Sequence, residues 1–383
     1  MNVIVGADAI RYPLTGIGRY AYELGSRLPG VAGIENVRYF RDGRVRDGLP
    51  ERPTAGRTEQ AGNRLRRLAG SLPVLVEAYR RFSAVMQERS LREFGNYVFH
   101  GPNYYLPVHS GPCVATFHDL SVFLWPECHP ARRVRYMQKE LPRAIKRASA
   151  LLTDSEFTRQ EVSAYFGWPL NRIVVAPLAA SSAYRPMSPA EATPVLSKWR
   201  LSFGAYSLFV GTLDPRKNVD MLLDVYERMP TSLRVRMPLV VAGFEGWKSA
   251  QTIARLRAGE CDGWAHYLGF VDEASLPALY AGARIFLYPS RYEGFGLPVL
   301  EAMAAGVPVI CSDAASLPEV TGNDGAELVA SDDADAFYDA LIRALEDDAW
   351  CAKARDRGLE RASHFSWDKT VSATLTAYKL AGQ

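Results

Sequence analysis

Ten short apolar runs, separated by stretches of helical character, set the narrowest limit on what this chain can fold into. Residues 3–8, 97–101, 113–117, 150–155 and 173–177 form one series, and residues 207–211, 239–243, 266–271, 285–289 and 307–311 form a second. Runs of this length, rich in Val, Ile, Leu and Phe, read as strands buried on both faces. Alternation with helices makes such strands parallel, joined by crossovers. The pattern breaks over residues 179–197, rich in Ala, Ser and Pro, and then restarts. With 383 residues there is room for two such units. The expected architecture is α/β: two Rossmann-like, doubly wound domains, 1–180 and 198–365, facing a central cleft. Ligands of open α/β sheets bind at the carboxyl ends of the strands, and the motifs below all fall there.

The densest of these motifs follows the run at 285–289: Arg291-Tyr292-Glu293-Gly294-Phe295-Gly296-Leu297-Pro298-Val299-Leu300-Glu301, closed at Gly306. Leu297 onward reads as a helix, with Pro298 suited to its first turn and Gly306 to its end. Gly294 and Gly296 allow the backbone to approach a ligand closely. Strand, glycine loop and helix N-terminus together aim free N–H groups at an anion. Glu293 and Glu301 would stand up to ~12 Å apart along a helix, too far for a proton-sharing pair and suited to two ends of one elongated, hydroxyl-rich ligand. Either Glu taken alone also reads as an ordinary cap or surface residue.

As a set, this stretch resembles the E-x7-E signature of the retaining family-4 glycosyltransferases, which have the GT-B fold. The resemblance implies that Glu293 contacts the donor sugar and Glu301 the nucleoside ribose, with Gly294, Phe295, Gly296 and Leu297 in the donor site between them. It extends over nearly the whole chain and is weakest over residues 38–93. It also implies that a last helix, opened by Phe365-Ser366-Trp367-Asp368, crosses back onto the first domain, which residues 366–383 would then complete.

Other positions follow along the chain. The loop after the first run carries Gly16 and Gly18 but no G-x-G-x-x-G fingerprint; the resemblance places both glycines against the donor diphosphate and the acceptor. His118 and Asp119 close the run at 113–117. A lone His there reads as a structural hydrogen-bonding group, whereas the resemblance places His118 on the donor sugar and Asp119 near the acceptor. Asn103 and Tyr104, in a polar-aromatic loop, are further acceptor candidates. After Gly211 the family's usual Arg is replaced by Thr212; Lys217 matches the family Lys and Arg216 supplies a second cation. Two cations at a strand-to-helix turn suit a diphosphate, although such a pair can equally be a solvated surface feature. Phe270 and Val271 fall where the family meets the nucleobase.

Charge and composition narrow the rest. Net charge is only +3, so no nucleic-acid partner is indicated. Residues 38–92 hold thirteen arginines against six acids; residues 42–62 read as a polar loop and 64–93 as a basic amphipathic helix, able to meet an anionic membrane or to be a solvated face on a core helix. No uninterrupted apolar stretch is long enough to span a bilayer, and residues 1–8 read as a strand rather than a leader. The expectation is a cytoplasmic protein, in peripheral contact with the inner membrane. Five dispersed cysteines without a C-x-x-C pair read as reduced thiols, and His109, Cys113 and His118 match no metal spacing.

The resemblance therefore implies a retaining, metal-independent hexosyltransferase without a cofactor. Its general look is that of bacterial mannosyl- and rhamnosyltransferases of surface polysaccharide. That favours GDP-mannose or GDP-rhamnose as donor and a lipid-linked glycan as acceptor. UDP- or dTDP-sugar transfer, a sugar-nucleotide epimerase or a phosphorylase would use the same fold. A two-domain sugar-binding protein without chemistry has less need of Arg216 and Lys217 beside a helix N-terminus.

Overall fold

The computed structural model describes residues 1–14, 16–52 and 86–383. Two sheets organise it. The first has the order β3-β2-β1-β4-β5-β6-β7, from β1 (Asn2–Gly6), β2 (Asn36–Arg41), β3 (Arg44–Arg46), β4 (Tyr97–Gly101), β5 (Cys113–Phe117), β6 (Ala150–Thr153) and β7 (Ile173–Val175). It is parallel except for the β2–β3 hairpin at its edge. The second has the order β10-β9-β8-β11-β12-β13, all parallel, from β8 (Ser207–Val210), β9 (Leu239–Ala242), β10 (Ala265–Gly269), β11 (Ile285–Tyr288), β12 (Val309–Ser312) and β13 (Glu327–Val329). In each lobe the strand order reverses beside the first strand, between β1 and β4 and between β8 and β11. Such a switch point opens a crevice at the strand ends.

All ten apolar runs contain strands, and three further strands lie elsewhere. β2 and β3 occupy part of the segment expected to be irregular: residues 42–47 turn and pair rather than form an open polar loop. β2 carries Arg38 and Arg41 beside buried Tyr39 and Phe40, because only a three-residue strand covers its outer edge. The segment between the lobes is also more ordered than its composition suggests. It holds the helix Pro189–Leu196, opened by a capping box in which Ser188 and Glu191 satisfy each other's backbone N–H groups. Most of the expected basic helix 64–93 lies outside the described residues; within them, residues 86–91 are helical.

The last helix, Trp367–Ala381, leaves the second lobe and packs on β5, β6 and β7 of the first. Ser366 caps it by accepting the Lys369 N–H. Tyr378 is buried and shares a 2.8 Å hydrogen bond with His100 Nδ1, while Thr116 serves the other ring nitrogen, also at 2.8 Å. Burial, aided by the charge of His118, pushes the His100 imidazole down to about 3, so the anchor is neutral.

Candidate active site

The carboxyl ends of the two sheets face each other across a cleft of about 810 Å³. Gly16, Tyr104, His118 and Asp119 line it from the first lobe. Gly211, Arg216, Lys217, Phe270, Val271, Leu297 and Glu301 line it from the second. The structure thus gathers eleven of the residues singled out in the sequence around one space.

The cation pair stands on the turn Pro215–Lys217 after β8. Asp214 caps this turn by accepting the Arg216 N–H at 3.1 Å, and Asn218 ends it in the left-handed region. Lys217 Nζ donates to Glu293 Oε1 at 2.5 Å and to the Tyr288 hydroxyl at 2.8 Å. Arg216 Nη1 donates to the Tyr292 carbonyl at 2.6 Å and lies 3.4 Å from Glu293 Oε2. Ser290 gives Glu293 a further hydrogen bond at 2.6 Å. Burial acts to raise the Glu293 carboxyl, but Lys217 and Arg216 outweigh it and hold the group at about 2. Glu293 is therefore behind the cations rather than on the cleft wall. Asp214 lies 3.9 Å from Arg216 as well, so two carboxylates hold the two cations in place, largely desolvated at the cleft.

Glu301, buried on the helix Leu297–Ala304, has both oxygens engaged. Arg19 Nη1 donates to Oε1 at 2.7 Å and the Tyr280 hydroxyl to Oε2 at 3.2 Å. Arg19 belongs to the first lobe, on the helix Gly16–Arg27, and also reaches Glu273 at 3.2 Å and the Tyr184 hydroxyl at 3.3 Å. This cross-cleft bridge is absent from the sequence reading. Arg19 follows Gly18 directly, and that proximity to a glycine loop is the only local signal it carries.

His118 is held at both ring nitrogens. Nδ1 donates to Asp154 Oδ2 at 2.6 Å and Nε2 to the Pro102 carbonyl at 2.8 Å. The Pro102 carbonyl can only accept, so Nε2 carries a proton; the proton between Nδ1 and Asp154, when on the ring, makes it an imidazolium. Burial opposes that charge, but Asp154 outweighs it and the pKa is raised. Asp154 had no signal of its own in the sequence. Asp119 Oδ1 accepts from both the backbone and the hydroxyl of Ser121, at 2.9 and 2.7 Å. Phe270 is 46% exposed and stacks on Phe244, centroids 4.8 Å apart, beside buried Val271.

Besides Glu293, five expected residues lie off the cleft wall. Gly294 presses on the first lobe instead: a Cβ there would stand 1.6 Å from the His118 carbonyl oxygen. Its own carbonyl accepts the Ser155 and Thr158 hydroxyls at 2.6 and 3.0 Å. Phe295 is buried against Phe365. Gly296 is needed for its φ of +104° and for Leu317, which a Cβ would meet at 2.5 Å. Gly18 faces the Ala9 carbonyl, 2.7 Å from where a Cβ would sit, and Asn103 turns its carbonyl to the Tyr105 N–H. These glycines let protein meet protein rather than ligand. Among the described residues no three His, Cys, Asp or Glu side chains gather as a metal cluster, and no helix is long and apolar enough to cross a membrane. The five cysteines are unpaired.

Comparison with known proteins agrees with this layout. The model of Glycosyltransferase Family 4 matches residues 14–180, and that of Glycosyl transferases group 1 matches residues 204–362. The chain is 44% identical over 382 residues to O-antigen chain mannosyltransferase B of Escherichia coli, covering 99% of this chain and 100% of that protein. The serotype-specific mannosyltransferase WbdA of Escherichia coli is 30% identical over 272 residues, 69% of this chain and 33% of WbdA. Among solved structures, WaaG, a glycosyltransferase involved in lipopolysaccharide biosynthesis, superposes with a TM-score of 0.70 over 100% of both chains at 16% identity. HepE of Anabaena in complex with UDP-glucose gives 0.70 over 99% of this chain and 100% of that one, also at 16%. Such structural likeness speaks for the fold alone, GT-B, whereas a relative aligned end to end and family matches on both lobes carry the assignment. This chain belongs to the group 1 and family 4 glycosyltransferases.

Proposed function

We propose that the protein transfers mannose, with retention and without a metal ion, from GDP-mannose to a lipid-linked glycan in O-antigen assembly. The end-to-end likeness to O-antigen chain mannosyltransferase B carries this reading. GDP-rhamnose is the alternative donor, on the general resemblance to rhamnosyltransferases of surface polysaccharide. In the step itself, the bond between the anomeric carbon and the diphosphate oxygen breaks and a bond to an acceptor hydroxyl oxygen forms on the same face. The leaving phosphate takes the acceptor's proton. Arg216 and Lys217 supply the fixed positive charge that stabilises the departing diphosphate, which is the task a metal would otherwise perform. Glu301 and Arg19 bracket the ribose end, and Phe244, Phe270 and Val271 line the space beyond it for the base.

A calorimetric panel of GDP-, UDP-, dTDP- and ADP-sugars in the presence of EDTA tests the donor. Selective binding of GDP-mannose is the expected result. A UDP or dTDP preference would replace the donor and keep the transferase. An absolute need for a divalent cation would remove metal independence.

Membrane contact belongs to the same proposal. The described parts of residues 38–92 carry Arg38, Arg41, Arg44, Arg46, Arg52, Arg89 and Arg92. The helix Ala131–Arg147 adds exposed Arg132, Arg135, Lys139, Arg143 and Lys146 on the same lobe. Each cation close to an anionic surface contributes roughly 1 kcal/mol. Co-sedimentation with phosphatidylglycerol vesicles at low salt, lost at high salt, is expected; absence from the vesicle pellet at low salt would count against membrane contact.

A further inference from the structure

We propose that His129 receives the acceptor: its Nδ1 accepts a hydrogen bond from the attacking hydroxyl, and Ser121 and Asp119 hold the ring in the tautomer that permits it. This rests on the transfer reading above and adds a residue to it. His129 stands between the short turn Pro126–Cys128 and the helix Ala131–Arg147, on the first-lobe wall of the cleft. Its Nε2 is 2.9 Å from Ser121 Oγ. That hydroxyl has one proton and gives it to the Asp119 carboxylate at 2.7 Å. Ser121 can therefore only accept from His129, which fixes the ring proton on Nε2. Nδ1 is left with its lone pair and, among the described residues, no protein partner.

His129 and the cation pair line the same cleft from opposite lobes. The charge of Arg216, and that of Asp214 beside it, acts on His129 from across the cleft, along with Arg133 and Asp119 on its own side. Burial, then Arg133, lowers the proton affinity of the ring, so the lone pair stays available at neutral pH. His118, the other histidine of the wall, cannot serve, because both its nitrogens are committed to Asp154 and Pro102. His129 orients the hydroxyl without keeping its proton, which leaves with the departing phosphate. Ser121 and Asp119 are positioning residues in this arrangement.

The test is steady-state transfer from GDP-mannose to octyl α-mannoside, with GDP affinity measured in parallel. His129→Ala is expected to raise the acceptor KM about tenfold or more, the scale of one lost hydrogen bond to a buried partner, with GDP affinity unchanged. His129→Asn, whose amide oxygen falls near the Nδ1 position, recovers more of the loss than His129→Gln, whose amide falls near Nε2. Ser121→Ala, which frees the ring to protonate at Nδ1, gives a smaller rise. An unchanged acceptor KM in His129→Ala, an equal loss of GDP affinity, or Gln matching Asn would each overturn the assignment while wild-type transfer still upholds the transferase. Wild-type protein that moves no mannose to octyl α-mannoside would overturn the mannosyl-transfer reading and this assignment with it.

Discussion

Lys217→Ala lowers turnover by about 100- to 1,000-fold, the usual loss when one fixed donor is taken from a developing charge in an enclosed site. The loss falls on turnover more than on donor binding, because the leaving diphosphate gains charge only as the glycosidic bond breaks. Stability changes less than a buried ion pair would suggest. An orphaned buried carboxylate costs about 3–5 kcal/mol, but Glu293 keeps Arg216 at 3.4 Å and Ser290 at 2.6 Å after the substitution. Lys217→Arg is not a rescue, because Lys217 is enclosed between Glu293 and the Tyr288 ring, whose centroid is 5.2 Å from Nζ, and a guanidinium is larger. Single-turnover kinetics beside a thermal melt separates the two effects. Normal turnover in Lys217→Ala would show that the cation pair does not face the reaction.

Gly294→Ala is the second large effect. The new methyl would stand 1.6 Å from the His118 carbonyl oxygen and 2.7 Å from its carbonyl carbon, both backbone atoms. Neither can swing away as a side-chain tip would. The lobes must part at this point, and the bonds from Ser155 and Thr158 to the Gly294 carbonyl go with them. A displacement near 1 Å in a two-sided site costs about 100-fold in rate. Each lobe keeps its own core, so circular dichroism stays unchanged while transfer falls and small-angle scattering reports a more open molecule. Gly16→Ala offers the contrast: a Cβ there meets nothing within 4 Å, and thermal stability stays at the wild-type value. A Gly294→Ala protein with wild-type transfer would mean that the two lobes need not touch here for catalysis.

What the sequence made legible was local. Pro298 within the first turn, Gly296 at φ +104° and Gly306 at φ +72° all obey rules that act over a few residues. The same holds for the stretch Phe365-Ser366-Trp367-Asp368, where Ser366 caps the last helix. The capping box at Ser188 and Glu191 was equally local and was hidden by an Ala- and Pro-rich composition. The missed parts are those in which distant segments meet. Arg19 and Glu301 are 282 positions apart, so no window along the chain contains both. Gly294 announced a close approach but not what approaches. The E-x7-E spacing led to two acids on a ligand, whereas the folded chain sets Glu293 behind two cations and gives Glu301 a partner from the other lobe. β2 escaped notice because Arg38 and Arg41 bracket only two apolar residues, Tyr39 and Phe40, in a strand near the edge of the sheet.

The position of the helix Trp367–Ala381 has a consequence for synthesis on the ribosome. Its sequence emerges after the whole second lobe, yet the surface it covers, on β5, β6 and β7, emerges before that lobe begins. Throughout translation of the second lobe, the nascent first lobe carries an uncovered apolar face and a buried-type His100 without its Tyr378 partner. Completion of the amino-terminal unit therefore waits until the second lobe has been made, and the two halves mature together. A product that stops short of residue 366 would contain every residue placed around the cleft and still leave that face open, a natural substrate for chaperones and proteases.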